Sequence, residues 1–223
     1  MSKKVICIIS GGMDSALSAM MAKDKGYEII AVHFNYGQLT EKKEKESFHK
    51  IADFLDSTIR YDIDLDFFKS IATSALMDTD IPVPTGGLTS GVPVTYVSFR
   101  NGIFISIATA LAEKHNAVAI IVGVVEEDSS GYPDCTQDYI EAMQKAINLG
   151  TKDSTLISIK TPLIHMNKSQ IVREALLLGV PLEYTWSCYK NSDKACGVCD
   201  SCRLRLKGFE EAGEKDPIEY EIL

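Results

Sequence analysis

The sequence predicts an α/β protein, with a doubly wound, mostly parallel five-stranded sheet and a small cysteine-bearing appendage at its C-terminal end. Three observations carry that prediction. The first sixty residues alternate short β-rich apolar runs with helical patterns, the signature of parallel strands joined by right-handed crossovers. Ala117–Val124 is almost continuously apolar, as a strand buried on both faces should be. Four of the six cysteines fall between 188 and 202, beyond the alternation.

The elements follow in order. Residues 3–9 read as a strand that stops at SGGMDS, and a helical pattern runs on through Leu17, Met20 and Met21 to Gly26. Ile29–Phe34 is the second strand and leads into NYGQ. Residues 39–55 read as a helix with a charged face and an apolar side at Phe48, Ile51, Phe54 and Leu55. Thr58–Ile63 is the third strand. Residues 78–94 hold three prolines and three glycines and read as a long functional loop, a candidate lid. A helix from about Phe99 to Lys114 precedes the fourth strand, and a second loop, EEDSSGYPDC, follows it. Asp134 is expected to cap the helix Gln137–Leu149. Thr155–Ile159 is the fifth strand, and Asn167 caps a last helix, Lys168–Leu178, closed by Gly179. From Pro181 the chain reads as irregular. The expected division is a nucleotide-binding unit over 1–180 and a zinc-binding segment over 181–223 packed on it.

Composition narrows the function. At 223 residues the chain buries a core without staples. A net charge of −8 argues against a tight duplex binder, which needs basic phosphate contacts, so no direct nucleic-acid binding is expected. No apolar run approaches the roughly 20 residues of a spanning helix, and the apolar run after Lys3 and Lys4 is too short for a secretory leader. The expected compartment is the cytoplasm. Cysteines there are reduced thiols, metal ligands or catalysts.

Ser10-Gly11-Gly12-Met13-Asp14-Ser15 lies between the first strand and the first helix. Paired glycines let the backbone approach a ligand. The helix N-terminus supplies free N–H groups and partial positive charge, and the serines add hydroxyls. The pattern suits phosphates, yet it is neither a Walker A loop nor a GxGxxG fingerprint. Asp14 in a phosphate loop points to Mg²⁺. Cys188, Cys196, Cys199 and Cys202 offer four thiolates for one structural zinc ion, with no position left for an activated water. An iron–sulfur cluster is the competing reading. Arg100 can fork onto a carboxylate or phosphate. Glu126, Glu127 and Asp128 follow the buried fourth strand, at the sheet edge where doubly wound folds bind ligands.

The hexamer SGGMDS resembles the PP-loop of the ATP pyrophosphatases, whose sheet is of the adenine nucleotide alpha hydrolase type. With FNYGQ (34–38), IPVP (81–84), the RN at 100–101, GVVEEDSSGYPDC (123–135), TPLIHMNK (161–168) and TWSCY…CGVCDSC (185–202), the chain resembles the 7-cyano-7-deazaguanine synthase (QueC) family over nearly its whole length. It departs from the family pattern at Asn35, Ser98, Val125 and Ser129. The resemblance implies a homodimeric, ATP-dependent, nitrile-forming ligase acting on 7-carboxy-7-deazaguanine and ammonia. It implies that ATP is a co-substrate held by Ile9, Ser10, Gly11, Gly12, Met13, Asp14, Ser15, Ala16, Leu17, Ser18, Ala19 and Tyr36. It assigns catalysis to Asp14, Arg100, Asn101 and Lys168, and the deazaguanine pocket to Glu126, Asp128, Tyr132 and Asp134. The rival readings are a relative that stops at the amide or adenylates another substrate, a tRNA-modifying PP-loop enzyme, and a non-catalytic nucleotide-binding zinc protein.

Overall fold

In a computed structural model, which describes residues 2–86, 91–126 and 131–221, the chain alternates strand and helix as far as the third strand. The elements are β1 (Lys4–Ile8), α1 (Met13–Asp24), β2 (Glu28–Asn35), α2 (Glu41–Phe54), β3 (Ile59–Asp64), α3 (Phe68–Ile71) and α4 (Arg100–His115). They continue with β4 (Ala119–Ile121), α5 (Gln137–Gly150), β5 (Ser158–Lys160), α6 (Lys168–Leu177) and α7 (Asp200–Ala212). The five strands pair in the order β3-β2-β1-β4-β5, and every pair is parallel. The order reverses between β1 and β4, so their carboxyl ends open a crevice at the topological switch point.

Strand alternation divides the core. Val5, Cys7 and Ile9, with Ile29, Ala31, Ala119 and Ile121, face a layer that includes Ala16 and Leu17 of α1, Phe48 of α2, Ile171 of α6 and Phe209 of α7. Ile6, Ile8, Ile30, Val32, Ile120 and Val122 face the opposite layer with Phe68, Phe104 and Ile140. This period of two, buried on both sides, is why β1 reads as an unbroken apolar run.

Several details differ from the sequence reading, among them the fifth strand, which forms over Ser158–Lys160 and not over Thr155–Ile159. The ladder of β4 ends at Ile121, although Val122, Val124 and Val125 stay buried, because the chain there leaves the sheet and becomes a cavity wall. Residues 200–212 are helical rather than irregular. The buried face of α7 carries Asp200, Cys202, Arg205, Gly208 and Phe209, a mixture without an apolar period to detect. The cap of α5 is Thr136, whose hydroxyl accepts the Tyr139 N–H, and not Asp134. No helix among the described residues is long and apolar enough to cross a membrane.

A buried ion pair fixes the last segment. Arg205 and Asp216 have side chains 1% and 3% exposed. The guanidinium donates through Nε and Nη2 to the two carboxylate oxygens, at 2.7 and 2.9 Å. It also donates to Thr185 Oγ1 at 2.7 Å and the Leu182 carbonyl at 3.1 Å, and Tyr220 adds its hydroxyl to Asp216. Removing one partner strands the other charge, which costs about 3–5 kcal/mol. Asp216→Ala should therefore lower the melting temperature by roughly 6–20 °C for a domain of this size. An unchanged melting temperature would contradict the clamp.

Candidate active site

A cavity of about 280 Å³ opens at the carboxyl ends of β1 and β4. The turn after β1 forms its floor. Gly11 has φ +93°, and a Cβ there would lie 2.6 Å from the Glu44 carbonyl oxygen, so glycine alone fits beneath α2. Gly12 is the N-cap of α1 and offers no capping side chain. The first N–H groups of α1 thus face the cavity without a side-chain acceptor, a ready anion site. Ser10 and Ser15 brace the turn, since Ser15 Oγ donates to the Gly12 carbonyl and the two hydroxyls lie 3.1 Å apart. Gly123 is the matching element after β4. Its Cβ would fall 2.8 Å from the Ser15 backbone, so its bare backbone lets the two turns close on each other.

Charge is distributed around this floor. Lys168, the first residue of α6, places Nζ 2.8 Å from Asp14 Oδ2, with side chains 13% and 29% exposed. Asp14 Oδ1 is buried without a hydrogen-bond partner. On the far wall the guanidinium of Arg100 donates to Tyr36 Oη at 2.8 Å and lies over the Tyr36 ring. Burial pushes the Tyr36 phenol up to about 12, so it is neutral and its own proton is free to donate. Burial disfavours the Arg100 charge, but Tyr36, Tyr132 and Asp134 favour it more, and the guanidinium stays protonated. Gln38 folds back to accept the Tyr36 N–H and donates to Glu44, which also accepts from Thr40.

The second loop behaves differently from expectation. Tyr132 lines the cavity and is held by Thr95 through two hydrogen bonds. Asp134 and Glu126 do not line it. Asp134 Oδ2 accepts the Asn101 N–H at 2.9 Å in the first turn of α4, while Glu126 Oε2 accepts the Gln137 N–H at the start of α5, beside its cap Thr136. Asp128 and Ser129 lie outside the described residues, as does part of the 78–94 loop. Asn101 lines the cavity and donates to Cys135 Sγ. Cys135 is the cavity's one cysteine among the described residues. Burial, and then Asp134, push its thiol up to about 12, so it is protonated and no nucleophile.

Of the α1 residues assigned to ATP, Met13, Asp14 and Ser15 line the cavity with Ile9, Ser10 and Gly12. Ala16, Leu17 and Ala19 turn into the core, and Ser18 is buried elsewhere along α1. They lie past the first turn, where the backbone N–H groups are spent inside the helix, as that of Ala16 is on the Gly12 carbonyl. Among the departures, Ser98 is exposed and off the cavity. Asn35 donates to both Asp62 and Asp64 at 2.7 Å, a place where a carboxylate would be repelled.

The four cysteines converge. Their sulfurs all lie within 4.8 Å of one another, and all four residues are buried. Four thiolates about 2.3 Å from one tetrahedral ion sit about 3.8 Å apart, and Cys196 Sγ lies 4.0 Å from Cys202 Sγ. Cys188 Sγ accepts N–H bonds from Lys190, Asn191 and Cys196, and Cys196 Sγ accepts one from Cys199, which stabilises negative sulfur. The segment is also a wall of the cavity. Trp186, Ser187, Tyr189, Ser201, Leu204 and Arg205 line it, and the Trp186 N–H bonds the Gly11 carbonyl at 2.8 Å. Sequence reasoning missed the lining residues Ser187, Tyr189 and Ser201, although each is adjacent to a cysteine of the cluster.

Comparison with known proteins gives a consistent result. The family model described as "Queuosine biosynthesis protein QueC" matches residues 4–213. A 7-cyano-7-deazaguanine synthase of Sulfurovum sp. (strain NBC37-1) is 69% identical over 220 residues, covering 99% of each chain. Another, of Aliarcobacter butzleri (strain RM4018), is 62% identical, covering 98% of this chain and 96% of its own. Among solved structures, a 4-thiouridine synthetase in complex with RNA and ATP is similar in fold, with a TM-score of 0.50 at 17% identity. The similarity covers 95% of this chain and 50% of that one.

Proposed function

The chain belongs to the QueC family of queuosine biosynthesis proteins, and from that premise we propose that it converts 7-carboxy-7-deazaguanine and ammonia to 7-cyano-7-deazaguanine at the expense of ATP. The observation that carries this reading is the uncapped N-terminus of α1, facing a cavity that also holds Asp14, Lys168 and Arg100.

In the first half, a carboxylate oxygen of the substrate attacks the α-phosphorus of ATP. The bond to the β-phosphate breaks and pyrophosphate leaves. Ammonia attacks the carboxyl carbon of the adenylate, loses a proton and expels AMP, giving the amide. In the second half, the amide oxygen attacks the α-phosphorus of another ATP. The nitrogen gives up its two protons in turn, the carbon–oxygen bond breaks, and AMP leaves behind the nitrile.

Ser10, Gly12 and Ser15 with the first N–H groups of α1 take the phosphates, and Lys168 neutralises charge on the departing pyrophosphate. Asp14, with one oxygen on Lys168 and the other unpartnered, suits Mg²⁺. When bound, that ion would supply positive charge to the phosphates. Arg100, the neutral Tyr36 phenol, Asn101 and Tyr132 line the part of the cavity where the carboxylate and ring would sit. Glu126 and Asp134 support this wall by accepting N–H groups in the first turns of α5 and α4. We assign a structural zinc ion to the four cysteines; sulfurs within 4.8 Å of one another support a single tetrahedral ion. We assign 1–180 to nucleotide binding and 181–223 to the zinc segment that walls the site. The family resemblance supports a homodimer, and an acidic chain with reduced thiols suits the cytoplasm.

The protonated Cys135 weighs against sulfur transfer, which needs a thiolate at the site. The test is pyrophosphate release from ATP. Release that requires both the deazaguanine acid and ammonium supports the ligase. Release requiring neither, or no release, would sink it.

A further inference from the structure

Gly208 lies in the middle of α7, where glycine is a poor helix former. It is buried against the start of α6, and α6 and α7 pack closely. A Cβ at 208 would fall 2.8 Å from Lys168 Cγ, 3.0 Å from its Cβ and 3.1 Å from its carbonyl carbon. These are the root of the Lys168 side chain, and its flexible tip is not involved. The same lysine carries the ammonium that sits 2.8 Å from Asp14.

Neither backbone can yield easily. Lys168 follows a closed capping box, in which Asn167 Oδ1 accepts the Gln170 N–H and Gln170 Oε1 accepts the Asn167 N–H, both at 2.9 Å. The helix α7 is tied down by Cys202 of the sulfur cluster at one end and by the Arg205–Asp216 pair one turn before Gly208. A methyl group at 208 would therefore be accommodated by turning Lys168 Cγ aside and by a few tenths of an ångström of give between α6 and α7, and both movements carry Nζ away from Asp14.

From this juxtaposition we infer that Gly208 is a positioning residue. Its missing side chain lets the cysteine-bearing helix close over Lys168 and aim that ammonium at the phosphate site. The segment beyond residue 181 thus tunes the ATP site through a helix contact as well as walling it. The inference rests on the reading of Lys168 as a phosphate-binding group.

The test is a double-mutant cycle on the full chain with wild type, Gly208→Ala, Lys168→Ala and the double variant. ATP–Mg²⁺ binding is read by calorimetry, turnover by pyrophosphate release, and stability by thermal melting. Gly208→Ala should weaken ATP binding and lower kcat/KM for ATP by about 10- to 100-fold. The KM for ammonium should stay unchanged. In the Lys168→Ala background, where Cγ, the nearest contact, and the ammonium are gone, Gly208→Ala should add no further loss of ATP binding. If Gly208→Ala alone fails to fold, the double variant should fold.

Wild-type ATP affinity and kinetics in Gly208→Ala would overturn the inference. So would an equal loss in both backgrounds, or a double variant that also fails to fold. Wild type that binds ATP but ignores the deazaguanine acid would sink the substrate reading alone, because the binding cycle still decides the role of Gly208. Wild type that binds no ATP removes both.

Discussion

Cys199→Ser protein is expected to lose the zinc proposed for its sulfur cluster, the buried environment of Trp186 and nearly all ATP turnover together. Cys199 is fully buried within the sulfur cluster, and a serine there cannot complete a soft tetrahedral shell. Structural zinc contributes about 10–16 kcal/mol of binding energy to small domains, so the loss undoes the packing around the cluster. The fold of the sheet should survive, because the β1–β4 core is built from other residues. The cavity should not, because Trp186, Ser187, Tyr189 and Ser201 form its wall and Trp186 holds Gly11. Trp186 is the only tryptophan and is 6% exposed, so its emission should shift to the red on substitution or on chelation. Turnover should fall by at least ~10²-fold, the scale set by displaced catalytic groups. Zinc-free protein with unchanged emission and full turnover would show that the cluster and the site are independent.

The second large effect belongs to Lys168. Lys168→Met keeps the stem against Gly208 and removes the ammonium 2.8 Å from Asp14. Loss of one aimed cationic donor to a leaving group costs about 10²–10³-fold in rate, so kcat/KM for ATP should drop by that factor. Stability should change by only about 2 kcal/mol, the worth of one charge-assisted hydrogen bond. A variant with native ATP kinetics would remove Lys168 from the mechanism.

Several elements were legible in the sequence because their signals are local. The parallel sheet announces itself through apolar runs spaced by helical stretches. The cysteines converge because their spacing places them on neighbouring turns. The helix that opens at Lys168 is capped by Asn167, two residues of one motif. What escaped the sequence depends on distant partners. Glu126 and Asp134 look like substrate acids, yet each accepts an N–H from the first turn of a helix, and Asp134 finds Asn101 33 residues away. The helix α7 hides because a cysteine, an arginine and a glycine occupy its buried face. Gly123 and Gly208 read as ordinary glycines until the backbones they admit, at Ser15 and Lys168, are brought beside them. The side chains of Ala16, Leu17 and Ala19 face the core, since a run of residues after a phosphate loop includes the helix interior.

The most direct test of the proposed chemistry follows oxygen. Purified protein is given ATP, Mg²⁺, ammonium and 7-carboxy-7-deazaguanine carrying ¹⁸O in both carboxyl positions, and the products are weighed by mass spectrometry. Two successive adenylations predict the nitrile, two AMP for each nitrile, and one ¹⁸O in each AMP. Label in inorganic phosphate, unlabelled AMP, or an amide that retains one ¹⁸O and goes no further would contradict the account.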